Sequence, residues 1–199
     1  MITVGIIGYG KLGSTLASAF NNMNSLSWVV EPQDLNFNIP KKHIFHKIED
    51  LHSAPDYIFI TVNDEKIKET AEKLANHLKC NLNDSTIIHC SGALELDVLA
   101  RCKECGAETA SLHPYQTFYF SKEELLKCSW TYNTSGNPEK VEKIIKILGG
   151  KPYELPEKHK DLYHLSAVIA SNITTTLLSL SSDILKEINL NPSEFLPPI

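Results

Sequence analysis

Three glycines near the start of the chain have the spacing of a loop that binds a diphosphate. The loop reads Gly8, Tyr9, Gly10, Lys11, Leu12, Gly13. The first glycine permits a tight turn, Gly10 lets backbone amides approach a diphosphate, and Gly13 lets a helix pack close to a strand. An apolar run precedes this loop and a segment of small residues follows it. We interpret all six residues as a dinucleotide-binding loop; a structural turn is the alternative.

An acidic residue is expected about 20 positions after such a loop, at the end of the second strand, where it binds ribose hydroxyls. Glu31 follows the apolar residues 28–30 and stands 31 − 13 = 18 positions after Gly13. Because a carboxylate repels the 2′-phosphate of NADP, Glu31 favours NAD over NADP. Lys41 and Lys42 would reverse that preference if their loop folds back. A solvated strand end is the other interpretation of Glu31.

Polar residues also follow three predicted strands at their carboxyl ends, the edge where ligands bind in an open parallel sheet. We assign to one common site Val62, Asn63, His89, Ser91 and His113. Each has a simpler explanation. Asn63 and Ser91 can cap the helices that follow them, and either histidine can be an interior group whose hydrogen bonds are satisfied.

The last part of the chain predicts one long amphipathic helix, residues 157–188, because large aliphatic residues recur there at three- and four-residue spacing. His164 and Ser171 are seven positions apart and lie on nearly one face, with Asn172 beside them. Such polar groups need partners, either a substrate or neighbouring backbone. We interpret Lys160 as solvated. The apolar stripe must cover the sheet domain, a second subunit or residues absent from this sequence.

Strand and helix patterns alternate before that helix. The predicted strands are residues 2–7, 27–30, 57–62, 86–89, 108–112, 130–134 and 152–155, and the predicted helices between them include 64–78, 94–105 and one that begins at Asn137 and Pro138. The alternation predicts an α/β fold with a Rossmann-like, doubly wound, mainly parallel sheet. We place this dinucleotide-binding domain at 1–155. Residues 156–199 are the start of an all-helical domain for dimerisation and substrate binding.

Composition narrows the function classes. The chain has 199 residues, 42% of them hydrophobic, and a formal net charge of -5 without long blocks of like charge. This disfavours nucleic acid and anionic membranes as partners. The N-terminus lacks the features of a secretory signal, and the apolar segment 165–180 is interrupted by serines and threonines. We therefore expect a soluble, cytoplasmic protein with no membrane span.

Five cysteines are present, an odd number that indicates reduced thiols in that compartment. Cys102 and Cys105 have the spacing of zinc and redox pairs. A second pair of ligands at suitable spacing does not follow them in the sequence. We interpret them as two thiols at a helix end and predict no metal site.

The sequence resembles a family of uncharacterised NAD(P) oxidoreductases that combine an N-terminal Rossmann-like domain with a helical C-terminal domain of unknown function. The stretches that carry the resemblance are residues 8–13, 62–64, 89–94, 111–118 and 163–168, with Ser171 and Asn172 after them. The family is similar in build to 3-hydroxyisobutyrate dehydrogenases and ketopantoate reductases, which dimerise through their helical domains. Its members continue well past the equivalent of Ile199, so we expect this chain to be incomplete.

The resemblance implies hydride transfer between NAD or NADP and a small hydroxy or oxo substrate, in a cleft between the two domains, by a homodimer that associates through the C-terminal helix. Such chemistry needs a proton donor or acceptor, and histidine suits that role near neutral pH. We expect His113 first, then His164, to act, with His89 and Ser91 orienting the ligands and Asn172 binding substrate. The alternative is a dinucleotide-binding sensor or scaffold without turnover.

Overall fold

In a computed structural model of the chain, residues 2–118 and 125–196 are described. Contacts divide the chain into two compact units, Met1–Glu157 and Lys158–Ile199. Positions 197–199, the end of the predicted helical domain, lie outside the described residues.

The described part of the first unit contains one eight-stranded sheet. Its strands are β1 (Val4–Ile7), β2 (Leu26–Val30), β3 (Ile44–Phe45), β4 (Tyr57–Ile60), β5 (Thr86–His89), β6 (Glu108–Pro114), β7 (Ser129–Thr134) and β8 (Lys151–Glu154). They are arranged in the order β3-β2-β1-β4-β5-β6-β7-β8. Neighbouring strands are parallel except β6 and β7, which are antiparallel. This order confirms the predicted Rossmann-like, mainly parallel α/β fold.

Helices cover both faces of this sheet. They are α1 (Lys11–Asn22), α2 (Asp64–Leu78), α3 (Ala100–Glu104) and α4 (Pro138–Ile147). Side chains alternate along each strand, so Ile6 packs in a core with Leu16 and Phe20 of α1, whereas Ile7 belongs to a second core with Leu74 of α2. Burying each such side chain stabilises the fold by about 1.5–3 kcal/mol. The burial of strands on both faces explains why they read as short apolar runs.

Two details differ from the sequence-based prediction. The segment 94–105 is a 3₁₀ turn, Leu96–Leu99, followed by the short helix α3. The Ser91 hydroxyl accepts hydrogen bonds from the amides of Ala93 and Leu94, at 3.1 Å each, and this holds the start of the segment in a turn. The unpredicted strand β3 pairs with β2 at the sheet edge over two residues.

The second unit is a nearly continuous helix. It comprises α5 (Lys160–Val168), a π-helical turn (Ile169–Ile173), α6 (Thr174–Glu187) and the short α7 (Pro192–Phe195). The long helix confirms the sequence prediction, and Asn191 caps α7 by accepting a hydrogen bond from the amide of Ser193. At the π turn, the Thr174 hydroxyl donates to the carbonyl of Ile169 at 3.0 Å. This contact spans five residues, as expected for a π turn.

Large apolar side chains are exposed along this helix. We call them the apolar stripe: Leu162, Leu165, Ile169, Ile173, Leu177, Leu180, Ile184 and Ile188, each with at least 46% of its surface exposed. Among the described residues, the helix Glu157–Glu187 is long enough to cross a membrane and contains an 18-residue stretch that is apolar enough, with a mean hydropathy of 1.2. This helix is weak support for a span, because core helices of soluble proteins meet the same criterion. The expectation that serines and threonines make segment 165–180 a poor span stays a prediction.

Candidate functional site

The glycine loop joins β1 to α1 in a tight turn. Gly8 has a φ of +99°, a conformation that side chains disfavour, and its amide donates to the carbonyl of Val30 at 2.9 Å. A Cβ atom on Gly13 would lie 2.2 Å from the carbonyl oxygen of Gly8. The start of α1 therefore contacts the end of β1 directly, and only glycine fits at position 13.

Gly10 differs from Gly8 and Gly13, because a Cβ atom at position 10 would have no other atom within 4 Å. Gly10 is the N-cap of α1. No side chain forms a capping hydrogen bond with this helix, and its first turn contains no acidic residue. A helix N-terminus with open space before it binds anions through its amides and its dipole. The loop residues thus fit a diphosphate group, as their spacing predicted.

Thr61 fixes the loop from the neighbouring strand. Its hydroxyl lies 3.1 Å from the carbonyl oxygen of Ile7 and 3.0 Å from that of Gly8, and it donates to these acceptors. Sequence reasoning did not single out this residue. The available signal was a hydroxyl placed directly after the buried strand β4.

Glu31 connects the end of β2 to the same loop. Its carboxylate accepts hydrogen bonds from the amide of Tyr9 at 2.9 Å and from the amide of Gln33 at 3.1 Å. The Nδ1 atom of His46 lies 2.9 Å from the Glu31 carbonyl oxygen. Glu31 is therefore more than a solvated strand end, because both carboxylate oxygens hold backbone amides of the site.

A cavity of about 810 Å³ opens beside the loop. It is lined by these residues from the sequence-predicted cofactor site: Gly8, Tyr9, Gly10, Glu31, Val62 and Asn63. Lys11, Leu12 and Gly13 follow in the first turn of α1. His46, Lys47 and Lys66, which sequence reasoning missed, also line the cavity, whereas Lys41 and Lys42 are not among its described lining residues.

Tyr9 lines the cavity and also contacts the loop that follows β2. The ring contacts Phe37, with 4.8 Å between centroids, and the hydroxyl accepts a hydrogen bond from the amide of Asn38 at 3.1 Å. Burial raises the pKa of Tyr9 above its usual value of 10. The phenol therefore stays neutral at physiological pH and holds the loop after β2 against the glycine loop.

Ser91 does not line the cavity and instead organises the loop after β5. Its hydroxyl donates to the Asp64 carboxylate at 2.7 Å while it accepts from the amides of Ala93 and Leu94. Asn63 stands at the N-cap of α2, but its side chain makes no capping hydrogen bond. The simple capping explanation thus suits Ser91 better than Asn63, whose side chain remains available at the cavity.

The structure brings two of the predicted histidines to adjacent strands. His89 ends β5 and is fully buried, and it pairs in register with Ser111 of β6. His113 lies two residues further along β6 and is half-buried. Because side chains alternate along a strand, His89, Ser111 and His113 share one face of the sheet.

The remaining predicted residues belong to the second unit. His164 lies in α5, and Ser171 and Asn172 lie in the π turn. The extra residue of a π turn shifts the helical phase between His164 and Ser171 relative to a regular α-helix. Lys160, expected to be solvated, is instead buried, with 6% of its surface exposed.

Cys102 and Cys105 pack α3 against α2. Their thiols donate to the carbonyls of Ala71 at 3.3 Å and Ala75 at 3.8 Å. Both thiols are free, as are those of the other described cysteines, Cys90 and Cys128. Burial raises the pKa of Cys102 to about 12. A thiol that stays protonated is a weak nucleophile, so this one acts in packing.

Comparison with known proteins identifies two family matches. The Rossmann-like domain family matches residues 1–114, and the domain of unknown function DUF2520 matches residues 134–199. The sequence matches no curated protein.

Solved structures share the fold of this chain. A candidate NADP oxidoreductase from Bacteroides fragilis is 18% identical, with a TM-score of 0.81 over 98% of this chain and 76% of that one. Pyrroline carboxylate reductase from Plasmodium falciparum, solved with NADP bound, is 18% identical, with a TM-score of 0.71 over 96% and 72%.

A reductive aminase from Aspergillus terreus, solved with NADPH and ethyl levulinate, is 14% identical, with a TM-score of 0.73 over 98% of this chain and 70% of that one. At these low sequence identities, the similarity to the solved structures establishes a shared fold. The family match covers more than half of the sequence and coincides with the glycine loop, its cavity and the first six strands along the chain. The chain therefore belongs to the Rossmann-like domain family and continues into a DUF2520 domain.

Proposed function

We propose that this protein is an NAD(P)-dependent oxidoreductase that transfers a hydride between a nicotinamide cofactor and a small hydroxy or oxo substrate. One observation carries the proposal: Gly10 leaves open space at the uncapped N-terminus of α1, beside a cavity of about 810 Å³. Structural neighbours named for NADP-dependent reduction support the same reaction class.

Each residue around the loop has a task in cofactor binding. The amides at the start of α1 bind the diphosphate, and Thr61 and Glu31 hold the loop in shape through their contacts with Gly8 and Tyr9. Val62 and Asn63 line the cavity at the end of β4. When the cofactor is bound, its nicotinamide supplies or accepts the hydride.

His113 is the proposed proton donor or acceptor for the substrate oxygen. It is half-buried near the carboxyl end of β6, the sheet edge where the other parallel strands place the glycine loop and Asn63. We assign His89, which is fully buried, to positioning rather than to contact with substrate. His164 of the second unit remains the second proposed acid or base, and Asn172 a proposed substrate-binding residue, in a cleft between domains 1–155 and 156–199.

Turnover tests this assignment. The protein is incubated with NADH or NADPH and a panel of oxo acids, aldehydes and imines, and nicotinamide absorbance is followed. His113→Ala is expected to lower turnover at least a hundredfold, as for loss of an acid or base catalyst, with cofactor affinity nearly unchanged. His52→Ala is the control, because His52 is exposed and absent from the cavity lining. Equal loss of turnover and cofactor affinity would contradict the role of His113.

A dinucleotide-binding sensor or scaffold is the second candidate. The observation that favours it is that the described cavity is lined entirely by residues of the first unit. Binding does not require the second unit, whereas the proposed reaction does. Tight binding of a dinucleotide without oxidation across the whole substrate panel would support the sensor over the enzyme.

We also propose a soluble cytoplasmic protein that forms a homodimer through the C-terminal helix. The apolar stripe supports this, since eight large exposed side chains along one helix favour association. Light scattering is expected to show a dimer that Leu177→Lys converts to a monomer, with Thr175→Lys as the control on another helix face. A dimer that persists in Leu177→Lys would contradict this interface.

A further inference from the structure

The charged residues around the cavity carry an inference about which dinucleotide it accepts. Beyond the glycine loop, the cavity wall contains three acidic and three lysine side chains: Glu31, Glu49, Glu69, Lys47, Lys66 and Lys73. The simple count of charges is balanced. What distinguishes these residues is which of them already have partners.

Two of the acids and one lysine are engaged within the chain. Lys73 pairs with Glu69 one helical turn away, at 2.6 Å. The carboxylate of Glu31 accepts from the amides of Tyr9 and Gln33, so its charge is partly compensated by the backbone. Such contacts weaken the repulsion that Glu31 exerts on an approaching phosphate.

Lys47 and Lys66 differ, because neither forms an ion pair or a side-chain hydrogen bond with any residue that the structure describes. Lys47 follows β3, which pairs with β2 beside Glu31, and Lys66 lies in the first turn of α2. Both lysines line the same cavity, with Glu49 as the remaining acid. Two lysines on one wall match the chemistry of a phosphate monoester, which takes up to two negative charges.

We propose that Lys47 and Lys66 bind the 2′-phosphate of the cofactor and make the protein selective for NADP(H) over NAD(H). This inference rests on the proposed function and names the cofactor within it. It reverses the preference expected from Glu31 alone. It also moves the cationic role from Lys41 and Lys42 to two lysines on the cavity wall.

Calorimetric titration of the full chain with NADP⁺ and with NAD⁺ tests the inference. The wild type is expected to bind NADP⁺ about tenfold more tightly. The double variant Lys47→Ala with Lys66→Ala is expected to lose about tenfold in NADP⁺ affinity and to keep its NAD⁺ affinity within about twofold, as for two exposed charge pairs. Lys68→Ala is the matched control, since Lys68 lies on α2 and is absent from the cavity lining.

Each outcome has one meaning. If neither dinucleotide binds at millimolar concentration to the folded protein, the proposed function fails. If both bind and NAD⁺ binds as tightly as NADP⁺, the proposed function stands and the selectivity is wrong. If NADP⁺ is preferred and the double variant keeps that preference, the assignment to the two lysines is wrong. Adding salt to the wild type should weaken NADP⁺ binding more than NAD⁺ binding, because an exposed phosphate contact is screened.

Discussion

Replacing Gly13 with alanine tests whether the glycine loop is packed as the structure shows. The added Cβ atom would lie 2.2 Å from the carbonyl oxygen of Gly8 and 2.6 Å from the Thr61 hydroxyl. The Gly8 carbonyl has little room to move, because the Gly8 amide is bonded to Val30 and the carbonyl itself accepts from Thr61. The clash must therefore be relieved by displacing α1 or the loop.

The size of the effect follows from two opposing terms. Overpacking of this kind costs about 1–3 kcal/mol, and contact with a backbone oxygen belongs at the upper end. Alanine in a helix gains roughly 0.5–1 kcal/mol over glycine. The net loss is about 2 kcal/mol, which lowers the Tm of a domain of this size by about 4–8 °C. Tryptophan fluorescence is a suitable signal, because the two tryptophans of the chain, Trp28 and Trp130, lie in the first unit.

Gly10→Ser is the matched control for Gly13→Ala. It adds a side chain where nothing lies within 4 Å, and serine is a favourable N-cap residue, so the Tm should not fall. Its side chain nevertheless occupies the space beside the helix N-terminus, so dinucleotide affinity should drop. If Gly13→Ala melts within about 1 °C of the wild type, the close contact between α1 and β1 is wrong, and with it the physical reason for the third glycine.

Three further changes test the contacts around the site. Glu31→Ala removes the acceptor of the Tyr9 amide, so calorimetry should show a similar loss of affinity for NAD⁺ and for NADP⁺. Glu31→Gln should show a smaller loss. A loss of affinity for NAD⁺ alone would indicate that Glu31 contacts the ribose instead. Ser91→Ala should lower the free energy of unfolding in urea by about 1–3 kcal/mol, because two amides lose an acceptor and Asp64 loses a donor. An unchanged urea midpoint of unfolding would contradict this. The pKa of Cys102 is raised by burial from its ordinary 9.0 to about 12 in the folded protein, so the stability it contributes is complete below pH 9 and is lost as the pH rises towards 12. Between pH 8 and pH 10 the wild type should lose about 1.4 kcal/mol of unfolding free energy more than Cys102→Ala, and parallel pH profiles of the two proteins would refute this.

Much of the fold could be predicted because most of its strands are buried on both faces and read as apolar runs. Glycine and the Asn137–Pro138 pair marked helix boundaries, and the Asn137 side chain does cap α4 by accepting from the amide of Glu139. The strand β3 escaped prediction because two partly buried residues carry no periodicity. The break in the segment 94–105 depends on the hydroxyl of Ser91, a tertiary detail that helix propensity does not register.

The site was predictable in its position and less so in its contacts. Strand order follows from the alternation of elements, and strand order places the ends of β1, β2 and β4 at one edge. Which side chains form hydrogen bonds at that edge depends on how distant segments are oriented towards one another, and the local sequence does not specify this. Thr61 is an example, since its role requires the carbonyls of a strand more than 50 residues away, at Ile7. His89 and His113 each follow an apolar run, yet only the first is fully buried.

The π turn at Ile169–Ile173 controls the direction of the apolar stripe. From Leu162 to Ile188 there are 188 − 162 = 26 steps, which a regular α-helix would turn through about 2,600°, or seven rotations plus about 80°. The single additional residue of a π turn cancels about 100° of this, so both ends of the stripe point within about 20° of each other. The stripe therefore runs parallel to the helix axis, and a neighbouring helix can lie along its whole length without coiling around it. Converting the turn to regular α-helix without a deletion would rotate the second half of the stripe by about 100° and divide one continuous seam into two shorter ones. Deleting one residue from the turn would instead leave about 25 regular steps, and the two halves would stay aligned.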